Sequence, residues 1–409
     1  MKLFKFLPVF LIFACLVGFA GCSAPEGWTS RDGGYVYLVD GECVTGWQTI
    51  DDARYWFHDS GFPATGWQTI EGENYYFLED GKMATLWQDV GGIPCFFRED
   101  GVRVTGWLNQ DGYTYYLHET GIAIGPSEVQ GEVYLFNEEG KLSTGWQNVN
   151  GARYWADQAG RIASGWQEID GIRYCFAEDY TQMTGWLERD GLRFYFRPNG
   201  TPAQGAVYID TVVHTFAANG QEILLVNPWN TIPEGYEVDL TDIDHEHQIA
   251  AFAYDDFLQM MADCEAAELN PVVCSSYRTH AYQQKLYARR IQRYIDDGYS
   301  REEATKLAGR SVAIPGTSEH QLGLALDIID NSNWTLDESQ ADTPTQQWLM
   351  ANSWRYGWIL RYPEGSSAST GIIYEPWHYR YVGRDAAADI YASGLCLEDY
   401  LESLTVSVG

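Results

Sequence analysis

Two histidines and an aspartate in the last third of the chain have the spacing of a metal centre that keeps one position open. His320 and Asp327 are separated by six residues, and His378 closes the run Glu375-Pro376-Trp377-His378. Two imidazoles and a carboxylate give a tetrahedral ion three protein donors, and a fourth position left to water separates a catalytic zinc from a structural one. The chemistry implied is metal-assisted hydrolysis, which needs a base to take a proton from the attacking water. Glu375, three residues before His378, stands where that base is expected.

The elements that would position these residues form a mixed α+β domain. Residues 322–329 are short, apolar and strand-like, and a period of two projects Asp327 away from Leu326 and Ile328. A lone carboxylate emerging from such a run needs a partner, and a metal is one. Pro271-Val272-Val273-Cys274 reads as a strand, and Thr279 caps a helix reaching Tyr294. Arg278, between that strand and that helix, sits where a binding cleft opens. Arg289, Arg290 and Arg293 read as the solvated face of the helix. Ser300 and Glu303 make a capping box, and Thr343 with Pro344 and Gln346 starts a further helix that Gly357 ends. Ile249, Phe252, Phe257, Met260, Met261 and Cys264 recur at helical spacing, which places a helix over residues 247–269.

The first half of the chain has another texture. Tryptophans recur at Trp47, Trp67, Trp87, Trp107, Trp146, Trp166 and Trp186, 20 residues apart except for one double step. That gap holds an altered unit in which Gly125-Pro126 replaces Gly-Trp. Each unit runs from Gly-Trp through a turn pair such as Asp111-Gly112, Asn150-Gly151, Asp170-Gly171 or Asp190-Gly191 into an aromatic strand such as Tyr75-Tyr76-Phe77. Asn, Asp and Gly tolerate the positive φ of two-residue hairpins. A lone hairpin is marginal, so the units are expected to stack as a β-hairpin solenoid, burying alternate aromatics between neighbours.

Composition limits the partners. A net charge of −31 with 15% aromatic residues excludes nucleic acid, because so acidic a surface repels phosphate backbones. Lys2 and Lys5, the apolar stretch from Phe6 to Phe19, and Ala20-Gly21-Cys22 have the order of a secretory signal over residues 1–22. Cys22 is expected to carry a lipid anchor, an ordinary cleavage near Ala20 or Ala24 being the alternative. The remaining cysteines show no C-x-x-C and no pairing by spacing, so they read as buried free thiols.

Residues 27–222 resemble the choline-binding and glucan-binding repeats of Gram-positive cell-wall proteins, through their period, Gly-Trp, aromatic strand and glycine turns. The resemblance implies wall attachment through choline-bearing polymer or cell-wall polysaccharide, with Trp47, Trp67, Trp107, Trp146, Trp166 and Trp186 as ligand-facing rings. One departure bears on the ligand. Choline-binding members usually place a further Trp just before the strand's aromatic pair, where this chain has Arg54, Asn74, Pro94, Thr114, Arg153, Arg173 and Arg193. A complete cation–π cage for a quaternary ammonium is therefore not written in the repeats, and stacking on sugar rings is the alternative. Packing between units is a further role open to each ring.

Residues 224–409 are expected to form a second domain, of which about 224–405 resemble the VanY-type zinc D-alanyl-D-alanine carboxypeptidases and their L,D-carboxypeptidase and D,D-dipeptidase relatives. The resemblance rests on Ser318-x-His320-x-x-Gly323-x-Ala325-x-Asp327, Glu375-x-Trp377-His378, Ser276-Tyr277-Arg278-Thr279, Gln283 and the stretch from Tyr356 to Pro363. It implies a D,D-peptidase/Hedgehog-like fold and one catalytic zinc on His320, Asp327 and His378. It also implies Glu375 as the base, Arg278 as the group binding substrate and oxyanion, and Ser318 and Gln283 as substrate-site residues. The expected reaction is removal of the terminal D-alanine from peptidoglycan stem peptides, on the outer face of the cytoplasmic membrane and in the wall of a Gram-positive bacterium. An L,D-carboxypeptidase acting on tetrapeptide stems and a non-enzymatic wall adhesin are the alternatives.

Overall fold

The computed structural model describes residues 26–406, so the leader and Cys22 lie outside the described residues. The described chain divides into two compact units, one running to Gly151 and including Trp155–Ile162, the other formed by Ala152–Tyr154 and residues from Ala163 onward.

The first unit is a series of small antiparallel hairpins, among them Gly46–Ile50 with Ala53–Phe57 and Gly66–Ile70 with Glu73–Phe77. Both central turn residues have positive φ, as at Asp111 (52°) and Gly112 (79°), the geometry whose twist matches that of the flanking strands. Successive hairpins share aromatic contacts. The Trp47 ring meets Trp56 of its own hairpin edge-on at 5.3 Å and Tyr75 of the next at 5.0 Å. Phe57, Phe77, Phe97 and Phe136 are fully buried, so in these units the strand-end phenylalanine is the core residue, a place taken by Leu117 and Ala156 in two others.

The second unit begins with three more hairpins, of which the last is Gly205–Ile209 with Val212–Phe216. These share one compact body with the elements that follow. The Gln221 side-chain amide donates to the Val382 carbonyl at 2.6 Å, the Tyr400 hydroxyl accepts from the Ala218 N–H at 3.1 Å, and Arg173 pairs with Asp385 at 2.7 Å. The repeat period ends near residue 222, but chain packing continues across that point.

At the centre lies a four-stranded antiparallel sheet in the order Pro271–Ser275, Ala325–Asp330, His378–Tyr381, Trp358–Leu360. Its inner face buries Leu326, Ile328, Trp358 and Tyr379 against Ile249, Phe257, Met260 and Leu349. The expected caps are present: Thr279 accepts from the Tyr282 N–H at the start of helix His280–Asp296, and Ser300 with Glu303 completes a capping box. Thr343 and Pro344 open the helix Pro344–Asn352, and a short 3-10 turn then ends at Gly357 in the left-handed region.

Two boundaries differ from the sequence reading. The helix expected over residues 247–269 begins at Tyr254, because Gln248–Ala250 pairs as a strand with Leu240–Asp242 and the Ala250 N–H donates to the Gly323 carbonyl. Ile249 is therefore core, but as a strand residue. The strand expected over residues 322–329 starts at Ala325, after a 3-10 turn Glu319–Leu322 closed by Gly323 at φ 73°. Among the described residues no helix is long and apolar enough to cross a membrane.

Candidate active site

Strand register brings the donors together. Asp327 lies directly opposite His378 in the antiparallel pair, so their side chains leave the sheet on the same face as nearest cross-strand neighbours. His320 arrives from the 3-10 turn, which is tied to the neighbouring loop where the Arg278 N–H donates to the His320 carbonyl at 3.0 Å. One ligand atom from each of His320, Asp327 and His378 lies within 4.8 Å of the others, and all three residues are buried.

Hydrogen bonds fix which nitrogen each ring presents. His320 donates from Nδ1 to the Ser276 carbonyl at 2.8 Å, which turns Nε2 toward Asp327 Oδ2 at 3.3 Å. His378 turns Nδ1 toward Asp327 Oδ1 at 3.1 Å, and its Nε2 faces the Glu319 carboxylate at 3.5 Å. Outer partners of this kind set ring orientation and ligand basicity. Glu319 is itself fully buried and accepts from Arg361 at 2.7 Å and Arg380 at 2.8 Å, while Arg361 also forms a fork with both oxygens of Glu398. Burial alone would raise the Glu319 carboxyl, but the two guanidinium groups hold it well below the ordinary carboxylate range. Two lone-pair nitrogens and a carboxylate converging in a buried, oriented cradle fit a zinc ion with one position left over.

Glu375 places a carboxylate oxygen 3.9 Å from His378 Nδ1, and its N–H donates to the Tyr362 carbonyl. Burial pushes the Glu375 carboxyl up to about 8, with His378 and Arg278 opposing and Asp327 adding. Arg278 donates to Asp327 Oδ2 at 2.7 Å and to Ser275 Oγ at 2.9 Å, which fixes its guanidinium at the metal side of the pocket. Arg278, Ser318, Glu375 and the three donors all line one cavity of about 350 Å³. Gln283 does not line it. Its side chain is fully buried and donates to the carbonyl of Ala313, which does line the cavity.

Sequence reasoning missed two groups. Glu319 and its arginines were hidden because a charged residue beside a metal ligand reads as surface until its burial is known. Arg289, Arg290 and Arg293, expected to face only solvent, line the same cavity as the metal donors. Their i, i+1, i+4 spacing on one helix was the available signal.

In the hairpins the structure places arginine on tryptophan. The guanidinium carbon of Arg54 lies 4.3 Å from the Trp47 ring centre, Arg173 4.7 Å from Trp166, and Arg193 4.2 Å from Trp186. Arg103 likewise covers Trp67 at 4.8 Å, and Trp107 packs edge-on against Tyr134 of the next hairpin.

Comparison with known proteins agrees with this geometry. Residues 246–384 match the VanY family, described as D-alanyl-D-alanine carboxypeptidase. The chain is 42% identical over 183 residues to a D-alanyl-D-alanine carboxypeptidase of Enterococcus faecalis (strain ATCC 700802 / V583), covering 44% of this chain and 66% of that protein. It is 35% identical over 196 residues to the putative carboxypeptidase YodJ of Bacillus subtilis (strain 168), covering 46% of this chain and 69% of that one. The chain belongs to the VanY D-alanyl-D-alanine carboxypeptidase family. It spans about two thirds of the length of these two relatives. Among solved structures, a VanY D,D-pentapeptidase variant in complex with Zn(II) is 40% identical, with a TM-score of 0.40, covering 43% of this chain and 97% of that one. In front of the VanY region, residues 44–85 match a choline-binding repeat, and residues 105–123 and 144–162 match a putative cell wall binding repeat.

Proposed function

We propose that residues 224–409 form a zinc-dependent carboxypeptidase of D,D-peptidase/Hedgehog-like fold that removes the terminal D-alanine from peptidoglycan stem peptides. Residues 27–222 would hold it at the cell wall as a stacked hairpin solenoid. The observation that carries the reading is the convergence of His320, Asp327 and His378 in one pocket, with the Glu375 carboxyl 3.9 Å from His378. Zinc, when bound, supplies a Lewis acid that polarises the scissile carbonyl and acidifies an attacking water.

The chain's own groups do the rest. Glu375 accepts the water's proton and passes it to the departing amine, a double duty suited to a carboxyl whose pKa lies above the ordinary range. Arg278, anchored by Asp327 and Ser275, presents positive charge toward the oxygen that turns negative. Ser318 contacts the peptide from the pocket wall, and Gln283 acts from behind it by holding the Ala313 carbonyl.

For the repeats, we infer that glycan, not choline, is the ligand. The faces of Trp47, Trp67, Trp166 and Trp186, which would receive a quaternary ammonium, already carry the chain's own guanidinium groups at 4.2 to 4.8 Å. The remaining half-exposed edges suit stacking on sugar rings. A lipid at Cys22 would add a membrane tether to this wall attachment.

The test is direct. The metal-loaded chain is incubated with pentapeptide and tetrapeptide stems, with and without chelator, and the products are weighed by mass spectrometry. Chelator-sensitive loss of one D-alanine from the pentapeptide is the expected result, and an intact pentapeptide refutes the reading. Sedimentation with purified walls should persist in excess free choline; release by choline would overturn the glycan assignment.

A further inference from the structure

The helix His280–Asp296 starts at the metal end of the cavity, since Arg278, just before its cap, donates to Asp327. From there Leu286, Arg289, Arg290 and Arg293 extend the cavity wall along the helix. No ion pair or side-chain hydrogen bond satisfies any of these three arginines among the described residues. That is unusual in a chain with 57 acidic and 26 basic residues, where Arg173, Arg193, Arg361 and Arg384 all have carboxylate partners. An unpaired cationic wall inside an acidic protein focuses attraction on anions at that place.

The wall begins within electrostatic reach of the chemistry, since the Arg290 guanidinium acts on the Glu375 carboxyl. Arg293, three residues further along the helix, stands about 5 Å beyond Arg290 at about 1.5 Å of rise per residue. An extended peptide advances about 3.3–3.6 Å per residue, so a peptide lying along this wall passes both arginines within a few residues of the scissile bond. Resting on the carboxypeptidase reading above, we propose that Arg290 and Arg293, flanked by Arg289, form an anion subsite. It takes a carboxylate borne by the peptide within a few residues on the N-terminal side of the scissile bond. The preferred substrate is then an acidic stem peptide, and its carboxamide form is discriminated against.

Two peptides identical except for a carboxylate or a carboxamide at that position test this on the metal-loaded chain. The wild type should favour the acid by about tenfold or more in kcat/KM, the worth of one or two charge-assisted hydrogen bonds, mostly through KM. In R290Q/R293Q the ratio should fall toward one, whereas R290K/R293K, which keeps the charge without the fork, should retain part of it. A wild-type ratio within about twofold of one, or a ratio unchanged by the glutamine pair, overturns the subsite. If neither peptide is cut, the carboxypeptidase reading itself fails. Calorimetric affinities of the two peptides for wild type and R290Q/R293Q then decide the subsite on the same ratio.

Discussion

Replacing Glu319 by glutamine keeps the shape of a fully buried side chain and removes its charge. In the native site one oxygen of Glu319 accepts from Arg361 and Arg380 at 2.7 and 2.8 Å, and the other faces His378 Nε2 at 3.5 Å. Arg361 keeps its fork to Glu398 after the change, but Arg380 exchanges its carboxylate partner for a neutral amide oxygen beside the Leu224 and Tyr381 carbonyls. Breaking a buried ion pair on one side costs about 3–5 kcal/mol. For a unit of this size that corresponds to a fall in Tm of roughly 6–20 °C, at about 2–4 °C per kcal/mol. The second effect is on the metal. Losing the anionic partner behind a ligating histidine weakens metal binding by about 10–100-fold. Calorimetric unfolding of metal-free protein and chelator competition at fixed pH read the two effects separately. The pH dependence adds a sign. Because the folded-state carboxyl is held down, its contribution is fully present above the unfolded value of about 4.3 and is lost as pH falls below it, so wild type should lose stability into acid more steeply than E319Q. Equal stability and equal metal affinity in the two proteins would refute the role given to Glu319.

Further outcomes follow from the same geometry. Glu375→Gln should keep one zinc per chain by elemental analysis and lower kcat by about two to four decades, the worth of a positioned acid/base group. In the metal-free site Asp327 and Glu319 hold the His378 imidazole up at about 9 against burial, which would lower it, so zinc must displace a proton. Affinity should then rise at least about tenfold per pH unit through neutrality, and titration in buffers of different ionisation enthalpy should count at least one proton released there. Gly323→Ala should destabilise the C-terminal unit by at least about 1–3 kcal/mol in denaturant titration, because a left-handed φ of 73° is unfavourable and the new Cβ would meet the Ala250 nitrogen at 3.2 Å.

Much of the site was legible because ligand chemistry tolerates few residue types. Two histidines, an aspartate and a glutamate in motif order point to a metal hydrolase without any coordinates, and the hairpins announce themselves through Gly-Trp and Asp-Gly at fixed intervals. Hidden were the features set by long-range packing. The fate of Gln248–Ala250 depended on a strand partner at Leu240–Asp242 and on the Gly323 carbonyl, neither visible in local periodicity. Arg290 and Glu319 carry the same kind of charge as any surface residue, and only the fold turns one into a cavity wall and the other into a buried support. The arginines standing in the repeats where Trp is usual are plain in the sequence, but their settling on the neighbouring indoles is not.

The pairing of Asp327 against His378 also has a bearing on when the protein becomes active. A slip of one residue between those strands would send the carboxylate into the apolar interior and leave the imidazole facing nothing. Hydrolytic power is thus withheld from any chain whose central sheet is unfinished, and a freshly made or misaligned molecule is harmless to the peptides around it.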